Sequence, residues 1–266
     1  MATLSWGNPI DRHFETGLDR GVLYPMVGAG VAWNGLVAVD ESPLSGEIRA
    51  YYQDGIRRMQ RVTPTEFAAS LSAFYYPDEF LPCDGVYDNG RGMLVDGQER
   101  QPFNLAYRTR LGNGLTGAKF AYKLHLLYNM QATPSSRSYT SMGESADIQP
   151  FVWNMQGIPE TIAGALRPSA HIVLDSSKTP AEVMVPLEAM LYGTSNSSPK
   201  FPTALEMTNL FIPPKSSITV TTNIDKTNYT ISGSNTAVKS LSASRFEINS
   251  PSLVVYEDGT FTVTDY

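Results

Sequence analysis

Thirty-nine of the 266 residues are glycine or proline (21 Gly, 18 Pro), about one in seven. That density of backbone punctuation excludes a coiled coil or a long-helix protein. It favours many short strands joined by turns. Apolar residues make up 42% of the chain and charged residues 17%, below the ~25% of an average globular sequence, so wholesale disorder is excluded as well. The length suits one large or two modest domains.

Period-two alternation marks the strands. Val31, Trp33, Gly35, Val37 and Val39 share one parity, and a turn-rich loop follows over Glu41–Gly55. Phe67, Ala69, Leu71, Ala73 and Tyr75 alternate with Ala68, Ser70, Ser72 and Phe74. Phe103–Arg110, Lys119–Asn129, Ile148–Met155 and Ala170–Leu174 read as further strands, with a hairpin turn at Leu111–Gly117. Residues 1–25 show no period and read as an irregular arm. Tyr76–Gln101, with two prolines and four glycines, fits no regular element; a loop this long is functional or disordered, and Phe80 and Tyr87 argue for order.

Helix signals are few. Thr203-Ala204-Leu205-Glu206 has the form of a capping box before Leu205, Met207 and Leu210. Pro186 opens a short helix over Leu187–Tyr192, ended by Gly193; a start at Thr179-Pro180 would be broken by Pro186. After Pro214 the composition turns to Ser, Thr and Asn. Short alternating runs at Ile218–Thr222, Tyr229–Ser232, Phe246–Ile248, Leu253–Tyr256 and Thr260–Val263 suggest a small all-β unit. Alone it would be marginal, so it is expected to lean on the larger domain or a neighbouring subunit. The expected fold is therefore mainly β, a sandwich or barrel with one or two short helices over 1–214, plus a C-terminal β domain at 215–266.

Charge and motifs narrow the function. Net charge is −6 and pI about 5.1, which opposes binding of duplex DNA by counterion release. Cys83 is the sole cysteine, so no intrachain disulfide forms and a reducing compartment is expected. No leader and no run near the ~20 apolar residues of a membrane span is visible; the sequons at Asn196 and Asn228 are read as chance. Gly28-Ala29-Gly30 opens a dinucleotide fingerprint that fails at Trp33, and Gly112–Lys119 lacks the features of a phosphate loop. His13, His125 and His171 stand far apart without metal spacing, and His125 reads as a hydrogen-bonded structural histidine. Asp84 and Asp88 begin a calcium-like spacing that fails at Asn89 and Val95. Gly143–Asp147 misses the nucleophile elbow, and the acids around Cys83 suppress thiolate. No catalytic residue, cofactor site or metal site is expected, and the chain does not read as an enzyme.

Two positive features remain. The chain carries 14 Tyr, 11 Phe and 3 Trp, many in turn-rich segments; β-core packing accounts for part of them, and interfaces suit the rest. All ten cations before Lys119 are arginines, which pair bidentately with carboxylates at subunit contacts. Arg20, Tyr24, Tyr51, Tyr52, Arg57, Arg58, Phe80 and Tyr87 are the expected interface residues. The run Arg57-Arg58-Met59-Gln60-Arg61 is too short for a nucleic-acid patch against the acidic balance.

The string Gly17-Leu18-Asp19-Arg20-Gly21-Val22-Leu23-Tyr24-Pro25 resembles the opening of the major tail proteins of long-tailed bacteriophages, particularly those of actinobacterial hosts. So do Gly30–Leu36, Tyr75-Tyr76-Pro77-Asp78-Glu79-Phe80, Tyr107-Arg108-Thr109, Tyr122-Lys123-Leu124-His125-Leu126 and Leu191-Tyr192-Gly193-Thr194, in order along residues 14–212. The resemblance implies a tail-tube fold whose subunits form rings of six that stack into a tube. DNA would pass through the bore, with tape-measure and other tail proteins as partners, in the virion tail after assembly in host cytoplasm. Six copies at −6 apiece carry −36 per ring, a charge that repels rather than adsorbs duplex DNA. The alternatives are another tail ring component (terminator or baseplate), or a soluble β-rich carbohydrate-binding or hydrolase domain using Trp33 and tyrosines as sugar platforms.

Overall fold

The computed structural model describes residues 8, 12–42, 48–62, 66–139, 141, 148–162, 165 and 167–211, and beyond these the backbone of strands lying between 219 and 264. The chain divides into two units, 1–211 and 212–266, a division three residues earlier than the one expected. The protein is mainly β, as expected, with a large antiparallel sheet and, among the described residues, two α-helices.

The larger unit is organised by two long central strands, β9 (Phe103–Asn113) and β10 (Gly117–Ala132), which form the expected hairpin. Asn113 shapes the turn: its Oδ1 accepts from the backbone N–H of Leu115 at 3.0 Å and of Thr116 at 2.8 Å. β9 is also paired with β1 (Phe14–Pro25), and β1 with the short β2 (Val31–Ala32). The other edge of β10 takes two strands in succession, β12 (His171–Asp175) against Lys123–Leu127 and β11 (Phe151–Gly157) against Met130–Ala132. Beyond β11 come β6 (Ala68–Ala73) and β3 (Leu36–Glu41), giving the order β2-β1-β9-β10-β11-β6-β3.

Alternation sends side chains to two cores. Leu105, Tyr107 and Leu127 join Leu23, Leu71, Trp153 and Met155, so the β6–β11 half of the sheet packs over the β1–β9 half. Within this core Phe80 sits 4.7 Å from Trp33 and 5.1 Å from Trp153, centroid to centroid. Ala106, Leu124, Leu126 and Tyr128 face the other way, onto α1 (Ala181–Tyr192) and α2 (Ala204–Phe211) through Met184, Leu187, Leu191 and Met207.

Several expectations are corrected. Residues 14–25 are not an irregular arm but an interior strand; residues 1–7 and 9–11 of the expected arm lie outside the described residues. The period is lost because Gly17 (φ 68°) and Arg20 (φ 50°) sit at register shifts that reset the parity of β1. The run Val31–Val39 is two strands, split by a turn at Trp33–Gly35. Glu41–Gly55 is not a loop throughout: β4 (Ile48–Gln53) and β5 (Ile56–Val62) form a hairpin. α1 starts at Ala181 and runs through Pro186. The missing N–H forfeits one bond to Glu182, and burial of Val183, Met184, Leu187 and Leu191 offsets that loss. The α2 capping box forms as read, with Thr203 N–H donating to Glu206 Oε2 at 2.9 Å and Glu206 N–H to Thr203 Oγ1 at 3.2 Å. The 76–101 segment is ordered: a 3₁₀ turn at Asp78–Phe80 drives Phe80 into the core, and β7 (Tyr87–Asp88) pairs β8 (Leu94–Val95).

In the smaller unit β13 (Thr219–Thr222) pairs β14 (Tyr229–Ser232). β15 (Ala237–Ser242), β16 (Arg245–Asn249), β17 (Leu253–Glu257) and β18 (Thr260–Thr264) form an antiparallel meander. β15 was not expected from the sequence.

Candidate functional site

The β4–β5 ribbon is a separate two-stranded sheet. Its turn, Asp54-Gly55, has φ of 53° and 73°, the two positive values of a type I′ hairpin. Among the described residues nothing covers either face: Ile48 is 61% exposed, Tyr52 67%, Ile56 54% and Met59 59%. Isolated hairpins are marginal in water, and this one spends its apolar side chains on solvent. Arg49, Arg57, Arg58 and Arg61 stand against Asp54 alone, a net +3 in a chain of −6. Their guanidinium groups are exposed, Arg57 donating to Gln60 Oε1.

A second exposed patch has the opposite sign. Asp78, Glu79, Asp88, Asp96 and Glu99 are exposed on the 78–99 segment with Tyr87, Met93 and Leu94; Arg91 is its one cation. Asp84 is buried and engaged by Arg100 at 3.0 Å and by Arg137.

Of the eight expected interface residues, six lie at the surface. Tyr51, Tyr52, Arg57 and Arg58 share the ribbon, Tyr87 is on the acidic flap, and Arg20 is exposed with its guanidinium 5.3 Å over the Tyr192 ring. Two do not. Phe80 is fully buried among Trp33, Trp153 and Phe103. Tyr24 is buried against the helices, donating its hydroxyl to Leu191 O at 2.8 Å. Both are core residues whose turn-rich flanks gave a misleading surface signal. Trp33 is likewise buried, its indole donating to Tyr75 O at 2.7 Å, and presents no face to a sugar.

A partly buried polar cluster was not foreseen. His125 on β10 and His171 on β12 are 46 residues apart in sequence, yet strand pairing puts His125 Nδ1 3.1 Å from His171 Nε2. Glu41, at the end of β3, reaches across from the opposite half of the sheet. Its Oε1 lies 3.2 Å from His125 Nδ1 and accepts from Tyr107 Oη at 2.6 Å; its Oε2 lies 3.7 Å from His171 Nδ1. His125 is thus hydrogen-bonded on a strand face, as read, with Thr109 Oγ1 3.1 Å from its Nε2. The Tyr107 ring stacks on it at 4.6 Å. The His125 and Tyr107 hydrogen bonds hold the Glu41 carboxyl down at about 2 against the opposing effect of burial. Burial pushes His171 down to about 4, so at neutral pH an anionic Glu41 faces a neutral His171. A cleft of about 550 Å³ lined by Glu15, Glu41, Tyr107, Thr109 and His125 opens the cluster to solvent.

Elsewhere, Cys83 is buried, and burial with help from Asp84 pushes its thiol up to about 12. Gly143–Asp147 lies outside the described residues. Among the described residues no helix is long and apolar enough to cross a membrane. No protein-family model and no curated protein matches the chain.

Proposed function

We propose that the protein is a structural, non-catalytic subunit of a phage tail tube, assembling with copies of itself into stacked rings around a bore that conducts DNA. The observation that carries this reading is the β4–β5 ribbon, a preformed hairpin whose isoleucines, tyrosines and arginines no other described part of the larger unit covers. Its natural counterpart is the acidic, apolar 78–99 flap of a second copy. A ribbon that meets a different patch on its neighbour makes a heterologous contact, the kind that closes rings or extends filaments. Arginine-to-carboxylate pairing sets register, and the apolar side chains supply the area. Tape-measure and other tail proteins are the remaining partners, the location is the virion tail after assembly in host cytoplasm, and the overall negative charge keeps the bore from adsorbing its cargo.

The test is a charge swap. Arg57→Glu with Arg58→Glu should abolish rings and tubes in negative-stain images while leaving the melting temperature nearly unchanged. Adding Asp88→Arg and Asp96→Arg to the same chain should restore assembly. A wild-type chain that stays monomeric with its tail partners present sinks the assembly reading; wild-type assembly that tolerates the reversal sinks the ribbon–flap contact.

A further inference from the structure

We propose that Glu41, His125 and His171 form a binding site for one divalent transition-metal ion of the zinc class. The inference does not depend on the assembly reading.

The cluster is held from its edge inward. Thr109 Oγ1 donates to Glu15 Oε1, so the Thr109–His125 contact of 3.1 Å takes the proton on His125 Nε2. His125 Nδ1 is the inward nitrogen, 3.2 Å from Glu41 Oε1. His171 Nε2 lies 3.1 Å from that nitrogen. The Glu41 carboxylate thus faces both rings, with its Oε2 3.7 Å from His171 Nδ1. A carboxylate and two imidazole rings, all ligand types for such an ion, converge in one partly buried site.

The ligand types and distances suit such an ion. Two imidazoles and a carboxylate are a common catalytic or open zinc set, leaving a fourth position free. Metal–ligand bonds of about 2.0–2.1 Å place tetrahedral ligand atoms about 3.3 Å apart, and all three ligand atoms here lie within 4.8 Å of one another. Coordination needs only a small swing of the His171 ring or the Glu41 carboxylate. The outer contacts are those that orient metal ligands: Thr109 fixes the His125 tautomer with Nδ1 inward, and Tyr107 holds Glu41 Oε1. The cleft supplies an entry path to Glu41, whose side chain is 35% exposed. A bound ion would tie β3 to β10 and β12 across the sandwich. Imidazole nitrogen selects zinc, nickel, cobalt or copper over magnesium or calcium.

The experiment uses the untagged full-length chain, stripped with a chelator. Titration calorimetry with zinc chloride at neutral pH should show one ion per chain with micromolar or tighter affinity, and none with magnesium. Cobalt should give the intense visible bands of tetrahedral coordination. Zinc at about 100-fold over Kd should raise the melting temperature of the larger unit by roughly 5–10 °C. Glu41→Gln, which keeps the shape and the Tyr107 contact, and His171→Gln should each remove the heat of binding and the melting shift. Tyr107→Phe should weaken binding by about 10- to 100-fold. Absence of binding by the folded wild-type chain overturns the proposal. So does undiminished binding in Glu41→Gln, which would place the ion elsewhere, even if His171→Gln fails to fold.

Discussion

If the β4–β5 ribbon is covered by a neighbouring copy, its apolar side chains must matter for association and not for folding. The triple variant Ile48→Thr, Tyr52→Thr, Ile56→Thr separates the two, because threonine preserves strand propensity while removing apolar surface. These side chains are 61%, 67% and 54% exposed in the isolated subunit, so more than half of each remains to be buried. Full burial of a side chain of this size is worth about 1.5–3 kcal/mol, leaving roughly 1–1.5 kcal/mol apiece for the interface. Since about 1.4 kcal/mol is a factor of ten, the three together should raise the concentration for half-assembly by two to three orders of magnitude. The subunit itself loses no core contact, and surface substitutions of this kind stay within about 0.5 kcal/mol, a shift of about 1–2 °C in melting temperature. Sedimentation velocity across a dilution series reads the first quantity and calorimetry the second. Unchanged assembly, or a melting temperature lowered by several degrees, would refute the reasoning, the second by placing these side chains in a core.

Three further outcomes follow from the larger unit. Phe80→Ala should cost about 3–5 kcal/mol, because the ring is fully buried between Trp33 and Trp153; a denaturant midpoint barely moved would mean the 76–101 segment is not anchored there. Asp19 is held below the ordinary carboxylate range by hydrogen bonds from Arg108 and Arg110. Its stabilisation is therefore complete above the unfolded pKa of about 4 and fades as pH falls towards the lower folded value; the group is partly exposed, so about 1 kcal/mol is at stake. Asp19→Asn should lose that component above pH 4 and differ little from wild type in strong acid, as urea titrations at two pH values would report. Cys83, buried with its thiol pushed up to about 12, should react with a disulfide reagent at mildly alkaline pH only as fast as the chain opens; rapid stoichiometric labelling of the folded protein would contradict its burial.

The parts of the fold that could be read from the sequence are those with one buried face and an unbroken register. β6 shows it best: Ala69, Leu71 and Ala73 are buried and the residues between them are not. β9 and β10 were legible because their hairpin turn is local, as was the α2 capping box, whose two reciprocal bonds lie within four residues. β1 was not, because two bulges change which parity points inward, so no single period survives over Phe14–Pro25. α1 was cut short because the cost of Pro186 is local while the burial that outweighs it comes from the sheet.

The two features on which the functional readings rest were hidden for opposite reasons. Glu41, His125 and His171 are assembled by pairings between distant segments, β10 with β12 and β3 across the sandwich from β9; no spacing in the sequence encodes that, and a search for local metal motifs must miss it. The ribbon is wholly local, and its Asp54-Gly55 turn was there to be read. It escaped because a strand is recognised by the contrast between a buried and an exposed face, and among the described residues this one has no buried face, apolar and cationic residues being exposed on both sides. That missing contrast is itself informative. The aromatic core of Trp33, Phe80, Phe103 and Trp153 is complete without the ribbon, so its isoleucines and tyrosines are not surplus core. In the assembly proposed, a hairpin that is marginal alone, that carries +3 in a chain of −6, and that leaves its apolar side chains exposed would gain its cover from a neighbouring copy.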